Sequence, residues 1–248
     1  MRTMNPALND KAFRSAATGT DRMTITGAVN KSFILVALVF ATAIWTWQNT
    51  FPSGWSAGSQ PVIPTWYFGV IIGTLILAMV IIFKKTWAPF LAPVYALAEG
   101  MLLGTISALF EYRYPGIVIQ AVLGTATVLI SLLAAYRSGL IEVTENFKLG
   151  VAAATGGIFL IYLLTFILGF FGMNVPYIHE AGLIGIGFSV FVCIVAALNL
   201  VLDFDFIEQG AAKGAPKYME WYAAFGLLVT LIWLYLEILR LLAKTRSR

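Results

Sequence analysis

The chain has 248 residues, 60% of them hydrophobic and only 11% charged, with a formal net charge of +4. A soluble domain averages about 45–50% apolar and about 25% charged, so an ordinary water-soluble core of this size is excluded. One cysteine and one histidine exclude an intramolecular disulfide and argue against a dedicated zinc site. The basic excess lies in tails and loops, which fits membrane topology rather than nucleic-acid binding.

Residues 1–28 are polar, mixed in charge and without periodicity, and are expected to form a flexible cytoplasmic tail. They lack the shape of a signal peptide, so the first span is expected to serve as its own insertion signal. No charged side chain occurs between Lys31 and Lys84, within 149–178, or within 181–202. Runs of about 18 or more apolar residues predict bilayer-spanning helices. Only helices and closed barrels satisfy their backbone in lipid, and the short alternating segments of a barrel are absent.

The fold class predicted is therefore all-α, a seven-transmembrane helical bundle over residues 29–245. The spans fall near 31–48, 65–83, 88–110, 115–136, 149–171, 181–202 and 218–243. The first is followed by FPSGWSAGSQPVIP, the second stops at Lys84 and Lys85, and GFFGMNVP breaks the fifth. Trp66, Tyr67, Trp87, Tyr114, Tyr136, Trp221 and Tyr222 gather at span ends as an aromatic belt. GVIIG (Gly69, Gly73) and GMLLG (Gly100, Gly104) are small-xxx-small pairs that let helices approach closely. Cys193, inside an apolar run, reads as a small packing residue, and His179 as a surface residue of a loop.

Lysine and arginine predict the orientation. Five precede or open the first span, and two each follow the second, fourth and sixth spans. The alternate loops hold none, Arg113, and none. This places the N-terminus in the cytoplasm, although the C-terminal end then carries four basic residues outside.

Ionisable groups inside spans are functional candidates by default, because each costs roughly 2.5–3.5 kcal/mol at a helix centre on insertion scales. Glu99 lies in the middle of the third span, one turn after Tyr95. ALNLVLDFDFIEQG closes the sixth span with Asp203, Asp205 and Glu208. Asp203 and Asp205 are about 200° apart on a helix, so both cannot face inward. Asn199 lies one turn before Asp203, and this stripe makes Asp203 the inward group. Asp205 and Glu208 share another face, read either as part of the path or as a solvated edge. Glu237, in the seventh span, either belongs to the same path or simply pairs with Arg240, three residues on. Glu220 reads as an acid matched to a helix N-terminus.

With AEGMLLGTISALFE, ALNLVLDFDFIEQG and WLYLEILRLL in place, the chain resembles the Bax inhibitor-1 family, also called transmembrane Bax inhibitor motif proteins, and within it the bacterial branch related to the YccA membrane protein. The resemblance covers about residues 29–245. It implies a multi-pass protein of the bacterial plasma (inner) membrane that leaks calcium down its gradient in a pH-dependent way. It implies a proton-sharing aspartate pair on spans six and seven. The first member matches Asp203. The second falls near Thr230, and Glu237 is the nearest acidic candidate. The family's basic gating residue falls on Lys84 or Lys85. Carboxylates crowded in a low-dielectric site retain a proton, and calcium needs six to eight oxygens, so Asp203 would offer only a weak, transit-type metal site.

The functional expectation is a pH-sensitive calcium or cation leak with Asp203, Glu99, Glu237, Asp205 and Asn199 along the ion path. The alternative is a regulatory or scaffold protein that binds another membrane protein, such as a quality-control protease. No catalytic residue and no cofactor is expected: there is no HExxH, no Gly-x-Ser-Gly, and no lysine inside span seven for a Schiff base. The expected partners are the lipid bilayer, calcium or protons, and a membrane protein, with no nucleic acid.

Overall fold

The computed structural model describes residues 22–51, 60–172 and 182–247. Seven α-helices account for nearly all of them. They are α1 (Ile25–Thr50), α2 (Tyr67–Phe83), α3 (Ala88–Arg113), α4 (Ile117–Arg137), α5 (Glu145–Phe170), α6 (Leu183–Ala212) and α7 (Met219–Arg246), with a 3₁₀ turn, Lys85–Trp87, before α3. Six of these regions are long and apolar enough to cross a membrane, and α2 is the shorter apolar helix. Its 17 residues rise about 25 Å, at the lower limit for a span. The fold is a helical membrane bundle, and much of its surface is apolar. Phe68, Ile72, Leu75, Ile76, Met79 and Phe83 of α2 all lie exposed. A contiguous stripe of this kind fits hydrocarbon and not water.

The helices separate into two compact units. One holds residues 119–205 and 229–247, the other residues 22–118 and 206–228.

In the second unit α1 starts at Ile25, inside the segment expected to be tail. Thr24 is its N-cap, accepting from the Gly27 amide at 3.0 Å. Just upstream, the Met23 amide donates to the Ala215 carbonyl at 2.6 Å and Met23 is buried. The order of these residues thus comes from partners nearly two hundred positions away. Residues 1–21, most of the expected tail, lie outside the described residues, as do His179, most of FPSGWSAGSQPVIP and half of GFFGMNVP.

α1 packs along α3 through the GMLLG glycines. A Cβ on Gly100 would run into Val39 and Thr42, and one on Gly104 into the Ala43 backbone. GVIIG looks alike in sequence but is not filled: a Cβ on Gly69 or Gly73 meets nothing within 4 Å. Gly104→Ala is therefore expected to lower stability by about 1–3 kcal/mol, the cost of overpacking. Gly69→Ala, at an open helical position, is expected to be neutral or stabilising by up to about 1 kcal/mol. Thermal unfolding of the two variants side by side checks this contrast.

Helix ends are set locally. Glu111, in the last turn of α3, accepts from the amides of Gly116 and Val118 and so caps α4. Gly214, with φ +64, ends α6, and the Ala215 amide returns to the Gly210 carbonyl at 3.0 Å. α6 therefore continues ten residues beyond Leu202, where its span was expected to end, and Asp203, Asp205 and Glu208 are helical. α5 begins four residues earlier than expected, with Thr144 as N-cap, so Lys148 belongs to the helix and not to the loop.

Candidate functional site

In the first unit, polar side chains recur every seven residues along α5 and α7, and fourteen residues apart on α6. α5 carries Lys148, Thr155 and Tyr162. α6 carries Ser189 and Asp203, with Ala196 between them and Asn199 one turn before Asp203. α7 carries Thr230, Glu237 and Lys244. Seven residues bring a helix back to within about 20° of the same direction, so each set lines one face. Fourteen residues span about 21 Å, most of a bilayer core.

Bonds tie these faces together level by level. Lys148 Nζ lies 3.2 Å from both Asp205 Oδ2 and Glu145 Oε1. Asn199 Nδ2 donates at 2.8 Å to Thr155 Oγ1 and at 2.8 Å to its own helix at the Val195 carbonyl. Tyr162 Oη donates to Glu237 Oε1 at 2.9 Å. Lys244 Nζ donates to Ser189 Oγ at 2.8 Å and to the Gly185 carbonyl at 3.0 Å. Between the Asn199 level and the Glu237 level sits a dry layer of Ile158, Val192 and Val195, flanked by Phe188 and Trp233. The seam is polar, then apolar, then polar.

Asp203 is 2% exposed and Asn199 is also buried. Asp205 is not free in solvent: its carboxylate is held by Lys148, itself only 3% exposed. Glu208 is exposed. Thr230, near which the second aspartate of the pair was expected, is buried on α7. Glu237, two turns further on, is 1% exposed and bound by both Tyr162 and Arg240, the latter at 2.6 Å. The i, i+3 partner of Glu237 was visible in the sequence, whereas Tyr162 was not. Cys193, half-buried on α6, is in electrostatic reach of Glu237 and Arg240.

The second unit holds Glu99, within hydrogen-bond reach of Tyr95. Tyr95 in turn places its ring edge-on to Phe225, with centroids 5.0 Å apart. Of the two candidate gating lysines, Lys84 is exposed at the end of α2, while Lys85 lies over the Tyr222 ring at 5.4 Å. Tyr222 is fully buried and is therefore not a member of the interfacial belt.

Glu220 exceeds the role expected for it. It is 0% exposed and accepts from the Thr24 amide at 2.9 Å and from Thr24 Oγ1 at 3.0 Å. It also pairs with Lys31, and with Lys217 at 3.0 Å. A Cβ on Gly27 would run into this carboxylate, so only glycine fits there. Among the described residues no group of three or more His, Cys, Asp or Glu could hold a metal ion.

A signal for the missed members existed. Lys148, Thr155 and Tyr162 repeat at seven residues, as do Thr230, Glu237 and Lys244. Polar residues at heptad spacing within apolar helices mark a face turned to protein. Lys31 with Glu220 had no such signal, because the two are 189 positions apart.

A family model described as Bax inhibitor 1 like matches residues 5–247. No curated protein and no solved structure matches the chain.

Proposed function

The chain belongs to the Bax inhibitor 1 like family, and on that premise we propose that it is a pH-sensitive leak for calcium or a similar cation, with Asp203 on its path. The observation that carries this reading is a buried carboxyl, 2% exposed, set on the polar face of α6 one turn beyond Asn199, in a seam spanning most of a bilayer core. An ionised Asp203 attracts a cation, and a protonated one does not. Conduction requires that such an ion bind loosely enough to leave again. Asn199 and Asp205 flank the acid, and Glu237 holds the far end of the seam. Glu99 supplies a second intramembrane carboxyl in the other unit, and Lys85 rather than Lys84 is the basic residue placed to act on its surroundings.

The proposed setting is the bacterial inner membrane with the N-terminus in the cytoplasm. Reconstitution into liposomes loaded with a calcium dye tests the leak. Calcium entry above that of empty vesicles is expected near neutral pH, and entry equal to empty vesicles at every pH removes the reading.

Gly69 and Gly73 support a second reading. Their open small-xxx-small stripe on α2 fits a helix of another membrane protein, such as a quality-control protease that this chain would regulate. Partner binding that is lost in Gly69→Leu, with no ion flux from wild type or Asp203→Asn, would favour it over the leak.

A further inference from the structure

The turn between α2 and α3 carries two lysines without an acidic partner among the described residues. Lys84 follows the last residue of α2 and is exposed, and Lys85 opens the 3₁₀ turn and is half-buried. Every other described lysine has a polar side-chain partner. Lys31 and Lys217 hold Glu220, Lys148 holds Asp205 and Glu145, Lys213 reaches Gln209, and Lys244 reaches Ser189. Lys85 instead lies over the Tyr222 ring, 5.4 Å from its centre, a cation–π contact and not an ion pair.

The helices set the depth of these two lysines. α2 has 17 residues and rises about 25 Å, less than the roughly 30 Å of a hydrocarbon core. Only Lys84 and a three-residue turn separate it from α3, so the turn stays at the membrane surface. Phe83, Trp87 and Phe90 lie exposed around it, and Trp87 suits the interface. The two ammonium groups therefore stand at the depth of lipid phosphates.

The same end of this unit is rich in positive charge. Gly100 meets Val39 and Thr42, and Gly104 meets Ala43, so α1 and α3 run in the same direction. Lys85 with Tyr222 and Tyr95 with Phe225 show that α7 runs with them. The three helices start together. Arg22, Lys31, Lys84, Lys85, Lys213 and Lys217 gather at that end against Glu208 and Glu220. No side chain caps the start of α3, so the positive end of its dipole adds to the field.

We infer that Lys84 and Lys85 form a docking site for the phosphate of an anionic phospholipid, with Trp87 and Phe90 against its acyl chains. A lipid fits better than a soluble acidic protein, because the charges sit at phosphate depth among apolar rings that lipid chains cover. Bound there, the lipid braces the α2–α3 turn against the start of α7 through Lys85 and Tyr222. The site stands whether or not the chain conducts ions.

Thermal unfolding of the full chain in a neutral detergent tests this, with phosphatidylglycerol or phosphatidylcholine of the same acyl chains titrated in. Wild type is expected to melt roughly 2–4 °C higher once phosphatidylglycerol reaches about five times its apparent dissociation constant, and phosphatidylcholine should give no such rise. Lys84→Gln should need about fivefold more phosphatidylglycerol for the same rise, and Lys84→Gln with Lys85→Gln about thirtyfold more. Arg137→Gln removes an equally exposed base from the other unit and should titrate like wild type. Lys84→Gln changes an exposed side chain, so it keeps the test open if the double variant does not fold. Equal rises with the two lipids, or wild-type titration by the lysine variants, overturn the inference. A loss in Arg137→Gln as large as in the lysine variants also overturns it, since any base would then do. So does an equal rise with glycerol phosphate or polyglutamate, which stand in for a soluble phosphate and an acidic protein.

Discussion

Glu220→Ala is expected to lower stability by about 2–3 kcal/mol and to loosen residues 24–31 against the start of α7. Removing one partner of a fully buried ion pair costs about 3–5 kcal/mol. The estimate here is smaller because the side chains of Lys31 and Lys217 are 17% and 47% exposed and partly recover hydration. Four interactions are lost at once: the amide and hydroxyl of Thr24, and the two lysines. Glu220→Gln keeps an acceptor for Thr24 and loses the charge, so it is expected to fall between wild type and alanine. Thermal unfolding gives the order of the three proteins. Hydrogen exchange at the start of α1 shows whether the loss is local, as expected, since Met23 remains bonded to Ala215. Unchanged melting and unchanged exchange in Glu220→Ala would show that the cluster contributes nothing to holding the segment.

Asp203→Asn is expected to reduce cation flux at least about tenfold and to flatten its response to pH. The substitution keeps shape and hydrogen-bonding atoms but leaves no charge at any pH. A unit charge about 4 Å from another is worth about 4 kcal/mol at an effective dielectric constant near 20, while a tenfold change in rate needs about 1.4 kcal/mol. The expected loss is therefore modest compared with the full interaction. Asp205→Asn offers the contrast, because Lys148 already neutralises that carboxylate, and its flux should stay within a few-fold of wild type. Folding of each variant is checked by its melting temperature. An Asp203→Asn protein that folds and conducts like wild type would remove Asp203 from the path.

The helices themselves were legible because a chain with so few charges can bury long uncharged runs only in lipid. The ends were less legible, for one repeated reason. Lys31, Lys148 and Asp203 were read as marks of where the membrane stops. Lys148 and Asp203 are buried side chains, and Lys31 is held by Glu220 nearly two hundred residues away. A charge with a partner and a charge in solvent look the same along a sequence. The two glycine motifs repeat the lesson. GMLLG and GVIIG have the same spacing, and only the presence of α1 against α3 separates a filled groove from an open one. In the candidate site, the pairing of Asn199 with Asp203 on one face followed from the helical period. Glu237 with Arg240 followed from the i, i+3 rule. Thr155, Tyr162 and Lys244 needed the mutual register of α5, α6 and α7, which no local pattern specifies. The family resemblance implies a second aspartate near Thr230; no aspartate lies there, and Glu237, two turns on, is the nearest acid.

The claim that an ionisable carboxyl governs a cation path is tested most directly by calcium entry into liposomes holding the wild-type protein, followed from alkaline to acidic pH. Entry should exceed that of empty vesicles where Asp203 is ionised and should fall as acid neutralises it. Entry that stays constant across the range, or that matches empty vesicles throughout, contradicts the account.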